Sequence, residues 1–343
     1  MKHHLNTLFV FTQGTYLRKD SETVVVRSDK KTVVRLPLLN IGSIACFGRI
    51  GISPQLMGYC GQNGIAITFM TEQGRFLAAV NGFTPGNVLL RREQYRRADD
   101  LESAKLIARS CILGKLSNYR TVLRRGVRDL KESDATLRLE RIATRMDAAI
   151  RTLSDKLSLD QLRGMEGELS AEYFSVFNDL ITSQKTDFVF SGRNRRPPKD
   201  SVNAMLSFLY SMLTNDLRSA CEAAGLDSAV GFLHRDRPGR PSLALDLMEE
   251  FRAVLVDRLV LSLINRGQVK ATNFNMDPGG GVTMDEATRK LLVASYQKRK
   301  QEQVTHLYLN EKMTLGLVPH IQARLLARHL RGDSDAYPPF AWK

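Results

Sequence analysis

The chain has 343 residues, enough for one large domain or two ordinary ones with a self-sufficient core. Its 43% hydrophobic and 25% charged residues are a globular composition, and no apolar run approaches the roughly 20 residues that span a bilayer. A formal net charge of +14 predicts a polyanionic partner, with nucleic acid the default.

The first residues, Met-Lys-His-His-Leu-Asn-Thr-Leu-Phe-Val-Phe, contain too short an apolar stretch for a signal peptide. Cys46, Cys60, Cys111 and Cys221 lie far apart and form no Cys-x-x-Cys pair, so they read as buried thiols of a cytoplasmic protein. Short β-rich runs follow at Thr7–Phe11, Thr15–Arg18, Glu22–Arg27, Lys31–Pro37, Ser43–Phe47, Ala66–Met70 and Arg75–Val80. Turn signals at Gln13-Gly14, Ser28-Asp29 and Gln73-Gly74 separate several of them. Only Ser53–Gly61 reads as helix in this half, with Pro54 in its first turn. Pro85-Gly86-Asn87 is the natural hinge.

Beyond it the pattern is helical almost to the end. Ala104, Ile107 and Cys111 share one face, as do Leu162, Met165, Leu169, Tyr173 and Leu180 further on. A loop with Gly192 and Pro197-Pro198 leads into a helix around Val202–Ala224. Pro278-Gly279-Gly280-Gly281 reads as a flexible loop, because no GKS/T follows to make a phosphate cradle. The expected fold is α+β, with a small β-rich N-terminal domain over residues 1–86 and a larger all-α catalytic domain over 87–343.

Three stretches carry chemistry. Glu166 shares or borders an apolar stripe and is flanked by Gly164 and Gly167, each unfavourable in a helix by about 1 kcal/mol relative to alanine. Glycines there make sense where another backbone or a DNA strand comes close. His234 sits in a basic, Pro/Gly-punctuated loop that leads into an apolar helix. On that helix Asp246 and Glu249, at i and i+3, place two carboxylates on one face. Carboxylates among leucines are costly unless paired, either with a metal ion or with arginines such as Arg163 and Arg252. Glu250 is equally acidic, and spacing alone does not separate it from Glu249. One imidazole with two or three carboxylates suits Mg²⁺ or Mn²⁺, the histidine favouring Mn²⁺. Basic runs at 91–97, 124–128, 193–199, 235–240 and 298–300 suggest a surface that tracks phosphates.

These residues resemble the CRISPR-associated integrase that captures new spacers, the Cas-one family. The resemblance covers essentially the whole chain. It rests on Gly-Asn-Val-Leu-Leu-Arg at 86–91, Leu-Arg-Gly-Met-Glu-Gly at 162–167 and Gly-Arg-Asn-Arg-Arg-Pro-Pro at 192–198. Val-Asn-Ala-Met-Leu-Ser-Phe-Leu-Tyr at 202–210, Gly-Phe-Leu-His at 231–234 and Leu-Asp-Leu-Met-Glu-Glu-Phe-Arg at 245–252 continue it. With the Asp-Ala-Tyr-Pro-Pro-Phe tail at 335–340, the chain looks most like type I-C members.

The resemblance implies that Glu166, His234 and Glu249 are the catalytic metal ligands, and its register selects Glu249 over Glu250. It makes Asp246 an auxiliary ligand or an orienting residue. With the charge pattern it nominates Arg163, Arg195, Arg196, Lys199, Asn203, Tyr210, Arg237 and Arg240 as DNA-binding residues. Many relatives carry a proline shortly after the last carboxylate, where this chain has Phe251-Arg252-Ala253, so the local helix shape is in question.

The implied activity is metal-dependent integration. The 3′-hydroxyl of a short double-stranded DNA fragment attacks a phosphodiester at the edge of a CRISPR repeat. The implied partners are that DNA, a second copy joined through the β-rich domain, and the small Cas-two protein; no membrane is implied. A stand-alone structure-selective nuclease would use the same ligands with water as nucleophile. A non-catalytic DNA-binding scaffold would pair its acids with arginines instead.

Overall fold

The computed structural model describes residues 7–29, 31–72, 74, 76–80, 82, 88–154, 156–195 and 197–342. It divides into two compact units, Met1–Gly86 and Asn87–Lys343. The expected hinge at Pro85-Gly86-Asn87 lies outside the described residues.

The first unit holds two four-stranded sheets. In one, β1 (Thr7–Val10), β5 (Ser43–Phe47) and β7 (Ala66–Met70) run parallel, and β8 (Phe76–Val80) pairs antiparallel with β7. In the other, β4 (Lys31–Pro37), β3 (Thr23–Ser28) and β2 (Tyr16–Asp20) form an antiparallel meander, with the two-residue β6 (Gly51–Ile52) parallel to β2. Gly14, Asp29 and Gly74 all take positive φ, which is why these turn signals break the strands where they do. Helix α1 (Pro54–Gln62) starts where Ser53 accepts the Leu56 amide and Pro54 occupies the first turn. Leu17, Val24, Ile44, Cys46, Leu56 and Ile67 are among the residues that close this core. Edge strand β4 leaves Val33 65% exposed, nearby Leu39 is 81% exposed, and Leu77 on edge strand β8 is 53% exposed.

The second unit is built on helices α2 (Val88–Asp99), α3 (Leu101–Asp129), α4 (Asp134–Thr152), α5 (Leu159–Ser175) and α6 (Ser201–Ala224). The short α7 (Ser242–Met248), α8 (Arg258–Asn265), α9 (Glu286–Lys300) and α10 (Val318–Leu330) complete its helices. Asp100 caps α3 by accepting the Glu102 and Ser103 amides, and Asp200 caps α6 by accepting the Asn203 amide. The stripe Ala104, Ile107 and Cys111 is buried, as are Leu162, Leu169, Tyr173 and Leu180, while Met165 is half-buried.

This unit is not all-α. Strands β9 (Phe274–Met276) and β10 (Val282–Met284) form one hairpin, and β11 (Gln303–His306) and β12 (Glu311–Thr314) form another. The first places Pro278–Gly281, expected as a loop, at the turn between two strands. Gly280 turns the chain with φ +75°, and the Asp277 carboxylate accepts the Gly281 amide at 2.8 Å. Asn310, at φ 52°, turns the second. Both strand pairs are too short for a period-2 signal to stand out beside the long helices.

Candidate metal centre and basic groove

The site is assembled from α3, α5, α7 and the loop before α7. Gln94, fully buried on α2, fastens that loop by donating to the Asp227 and Val230 carbonyls, each at 2.8 Å. Fully buried Asp246 is its hub. Its Oδ2 accepts the amides of Phe232 (2.6 Å) and Leu233 (3.0 Å), and its Oδ1 accepts the His234 amide at 2.9 Å and lies 2.7 Å from His234 Nδ1. Both oxygens are thereby spent on the His234 loop. With Nδ1 donating to it, the imidazole presents Nε2 to the site, where Glu249 Oε1 lies 3.9 Å away. Gly231 leaves room for the hub, because a Cβ there would lie 2.8 Å from Asp246 Oδ2 and from the Ser242 carbonyl carbon.

The helix bearing Asp246 and Glu249 is irregular, as the missing proline led us to ask. α7 ends at Met248, and the amides of Glu249, Glu250 and Phe251 each bond three residues back, to Asp246, Leu247 and Met248. The chain then widens into a π-helical turn over Arg252–Asp257 before α8. Consecutive helical residues point about 100° apart, so the two adjacent acids face different surroundings. Glu249 turns to His234, Arg252 and Lys115. Glu250 turns to the C-terminal tail, where it accepts the Tyr337 hydroxyl (2.5 Å), the Phe340 amide (2.6 Å) and Gln322 Nε2 (2.9 Å). Burial outweighs these donors and pushes Glu250 up to about 8.

Glu249 is 2% exposed, and burial alone would raise its pKa. The charges of Arg252, Lys115 and His234 overcome that and hold it at about 2. Arg252 Nε donates to Glu249 Oε1 at 3.0 Å. Lys115 Nζ is 2.7 Å from Glu249 Oε2, an ion pair that with Arg252 compensates this buried carboxylate. The same ammonium donates to Glu166 Oε1, which also accepts from Ser170 Oγ at 2.9 Å. Glu166 is therefore paired with a lysine, and Arg163 is committed elsewhere.

As placed, no three His, Cys, Asp or Glu side chains among the described residues gather tightly enough to hold one metal ion. Lys115 stands between Glu166 and Glu249. The donor chemistry nonetheless fits a divalent ion: an imidazole nitrogen aimed by a carboxylate, and two further carboxylates, Glu249 and Glu166, that already share one cation.

The sequence offers Arg252 as a partner for Glu249, which the structure pairs with it, but does not single out Lys115. Lys115 follows Cys111 by four residues and so continues the apolar stripe of α3, the same signal that drew attention to Glu166.

A groove of about 350 Å³ opens beside Glu166 and His234, lined also by Asp160, Arg163, Leu233, Arg235, Arg237 and Arg240. Arg163 Nε donates to the Leu233 carbonyl at 2.6 Å, and its Nη1 donates to Asp160 at 2.9 Å, so it braces the groove wall. Arg235 reaches the same Asp160 oxygen at 3.1 Å. Burial, and then the neighbouring Arg237 charge, lower the Arg240 pKa. Gly164 and Gly167 are exposed, and no atom lies within 4 Å of a Cβ built at either. Arg195 and Lys199 are exposed on the loop before α6; Arg196 lies outside the described residues.

The direct DNA contacts expected of Asn203 and Tyr210 do not fit their burial. Asn203 is fully enclosed, and its amide accepts from Asn194 N (3.1 Å) and Arg193 Nη1 (2.6 Å) while donating to Gly192 O (2.8 Å) and Asp200 (2.6 Å). Tyr210 is buried and donates its hydroxyl to Asp257. Both shape the site from behind.

A family model described as CRISPR associated protein Cas1 matches residues 8–298. The chain is 50% identical over 343 residues, the full length of both, to "CRISPR-associated endonuclease Cas1 1" of Chlorobaculum tepidum. Among solved structures, a casposase bound to integration product superposes with TM-score 0.83 at 21% identity, covering 98% of this chain and 94% of the other. A chain of a Cas6-RT-Cas1–Cas2 complex also gives TM-score 0.83, at 23% identity, covering all of this chain and 36% of that one. At such identities these two likenesses speak for the fold alone.

Proposed function

The chain belongs to the Cas1 family of CRISPR-associated proteins, and from that membership and the geometry above we propose that it is a DNA integrase of CRISPR adaptation. The 3′-hydroxyl of a short double-stranded fragment attacks a phosphodiester at the edge of the repeat, a new phosphodiester forms, and the target strand's own 3′-oxygen leaves as a free 3′-hydroxyl. The observation that carries this reading is His234, oriented by Asp246 with its Nε2 3.9 Å from Glu249 and lining an arginine-rich groove together with Glu166. Those three side chains would hold Mg²⁺ or Mn²⁺, which supplies Lewis acidity to the phosphodiester and eases ionisation of an attacking hydroxyl.

The chain's own residues do the positioning. Asp246 fixes the tautomer and direction of His234, Arg252 holds Glu249 from behind, and Arg163 with Asp160 sets the groove wall. Arg195, Lys199, Arg235, Arg237 and Arg240 neutralise backbone phosphates without reading bases, so binding is sequence-tolerant and weakened by salt. The open space over Gly164 and Gly167 leaves room for a strand next to Glu166. A second copy pairs through the β-rich unit, whose exposed Val33, Leu39 and Leu77 favour cover. A Cas2-like partner, a type I-C system and a cytoplasmic setting complete the reading.

The test is a branched DNA that mimics a half-integrated fragment, incubated with Mn²⁺ or Mg²⁺ and resolved on a denaturing gel. The wild type should rejoin the target strand and release the flap, and Glu166→Ala and His234→Ala should not. Cleavage without rejoining would instead assign a nuclease that uses water. No reaction by the wild type with either ion, despite tight DNA binding, would sink the stand-alone chemistry.

A further inference from the structure

The carboxylates around Glu249 already face cations supplied by the protein itself. Glu166 and Glu249 face two cationic side chains, Arg252 and Lys115. With the buried Asp246 carboxylate beside His234 counted, the set carries one net negative charge, and adding a divalent ion would turn that into one net positive charge in a largely buried place, beside a groove rimmed with arginines. Exchanging one resident cation for the ion restores the balance.

The two are not equivalent. Arg252 is held by a 3.0 Å hydrogen bond to Glu249, with its guanidinium 4.8 Å from the Tyr210 ring centre. Lys115 meets Glu249 Oε2 at 2.7 Å and Glu166 with the same ammonium, and it hangs on a flexible four-carbon stem. It also occupies the space that keeps Glu166, His234 and Glu249 from forming one ligand set. We propose that Lys115 is a built-in placeholder for the metal ion: its ammonium holds the two carboxylates together when no divalent ion is bound, and binding exchanges the ammonium for the ion.

This inference rests on the ion site proposed above and predicts something that site alone does not. A residue that merely supports metal ligands lowers affinity when removed, whereas a competing cation raises it. Lys115→Met keeps the stem and deletes the charge, so it should bind Mn²⁺ at least tenfold more tightly than the wild type. Lys115→Arg, which keeps a charge, should bind no more tightly than the wild type. Free Mn²⁺ counted by electron paramagnetic resonance gives the affinities without reference to activity.

Without added ion the Lys115→Met protein should melt below the wild type, because two carboxylates lose their shared partner, and Mn²⁺ should raise its Tm by more. If that variant does not fold alone, Mn²⁺ should restore it, and a chain that stays unfolded with Mn²⁺ overturns the proposal. Equal or weaker Mn²⁺ binding by Lys115→Met, with wild-type binding still abolished by Glu249→Gln, overturns the placeholder and leaves the ion site standing. Failure of both the wild type and Lys115→Met to bind Mn²⁺ removes the ion site and the inference together.

Discussion

His234 Nδ1 lies 2.7 Å from Asp246 Oδ1, and that one bond decides which ring nitrogen faces Glu249. The same carboxylate gathers three successive backbone amides, so the imidazole and its loop are fixed by a single buried side chain. Asp246→Asn puts an amide NH₂ among these donors. We expect roughly 10–100-fold weaker Mn²⁺ binding or activity, the usual cost of losing a partner that orients a metal ligand. Calorimetric titration with Mn²⁺ checks it, and unchanged affinity would show that the loop sets the ring without Asp246.

Gly231 is the close approach that makes this hub possible. Gly231→Ala drives a methyl to 2.8 Å from Asp246 Oδ2 and the Ser242 carbonyl carbon, and neither can retreat without breaking the hub. The expected cost is about 1–3 kcal/mol of stability, typical of overpacking, together with loss of activity. Urea unfolding of the two proteins measures it, and an undiminished midpoint would contradict the packing.

Fully buried Asp257 sits behind the site beside Tyr210. Burial, only partly offset by the Tyr210 hydroxyl and the Arg252 charge, raises its pKa from 3.8 to about 6. The folded protein therefore keeps a proton that the unfolded chain gives up between those values. Stability from this group is full below about pH 4 and is lost as pH rises through 6, on the order of 3 kcal/mol. Carboxylates with lowered pKa, such as Glu249, act in the opposite sense, so the difference between proteins is the readout. Wild type minus Asp257→Asn, followed by urea unfolding from pH 4 to 7, should slope downward; a flat difference rejects the assignment.

Arg237 and Arg240 line the groove without a role in holding Asp246 or Glu249. Replacing either with alanine should weaken binding of duplex fragments uniformly across sequences and lower the salt slope by about 1. Arg163→Ala should behave differently, because its guanidinium braces Leu233 and Asp160. It should lose activity out of proportion to affinity. Fluorescence anisotropy at several salt concentrations, set beside strand-transfer rates, separates the two patterns, and identical behaviour would mean that Arg163 also acts as a phosphate contact.

The elements legible in the sequence are those whose signals lie within a few residues. Strands at 31–37, 43–47 and 66–70 stand at the boundaries their β-rich composition marked, and Ser53 with Pro54 starts α1 because a cap and a fixed φ act locally. The spacing of Asp246 and Glu249, and the placing of Glu166 on an apolar stripe, likewise followed from helical period. What only the tertiary structure decided is which partner each acid meets. Glu166 finds Lys115 from α3, Asp246 spends both oxygens on the His234 loop, and Glu250 meets Tyr337 and Phe340 near the far end of the chain. Adjacent Glu249 and Glu250 diverge because consecutive helical residues point about 100° apart, while the tightened turn that runs into a π-helical one after them is a distortion no local preference announces. Local propensity sets where a helix begins and which face is apolar; the charge that crosses to meet a buried carboxylate is fixed only when distant segments close around it.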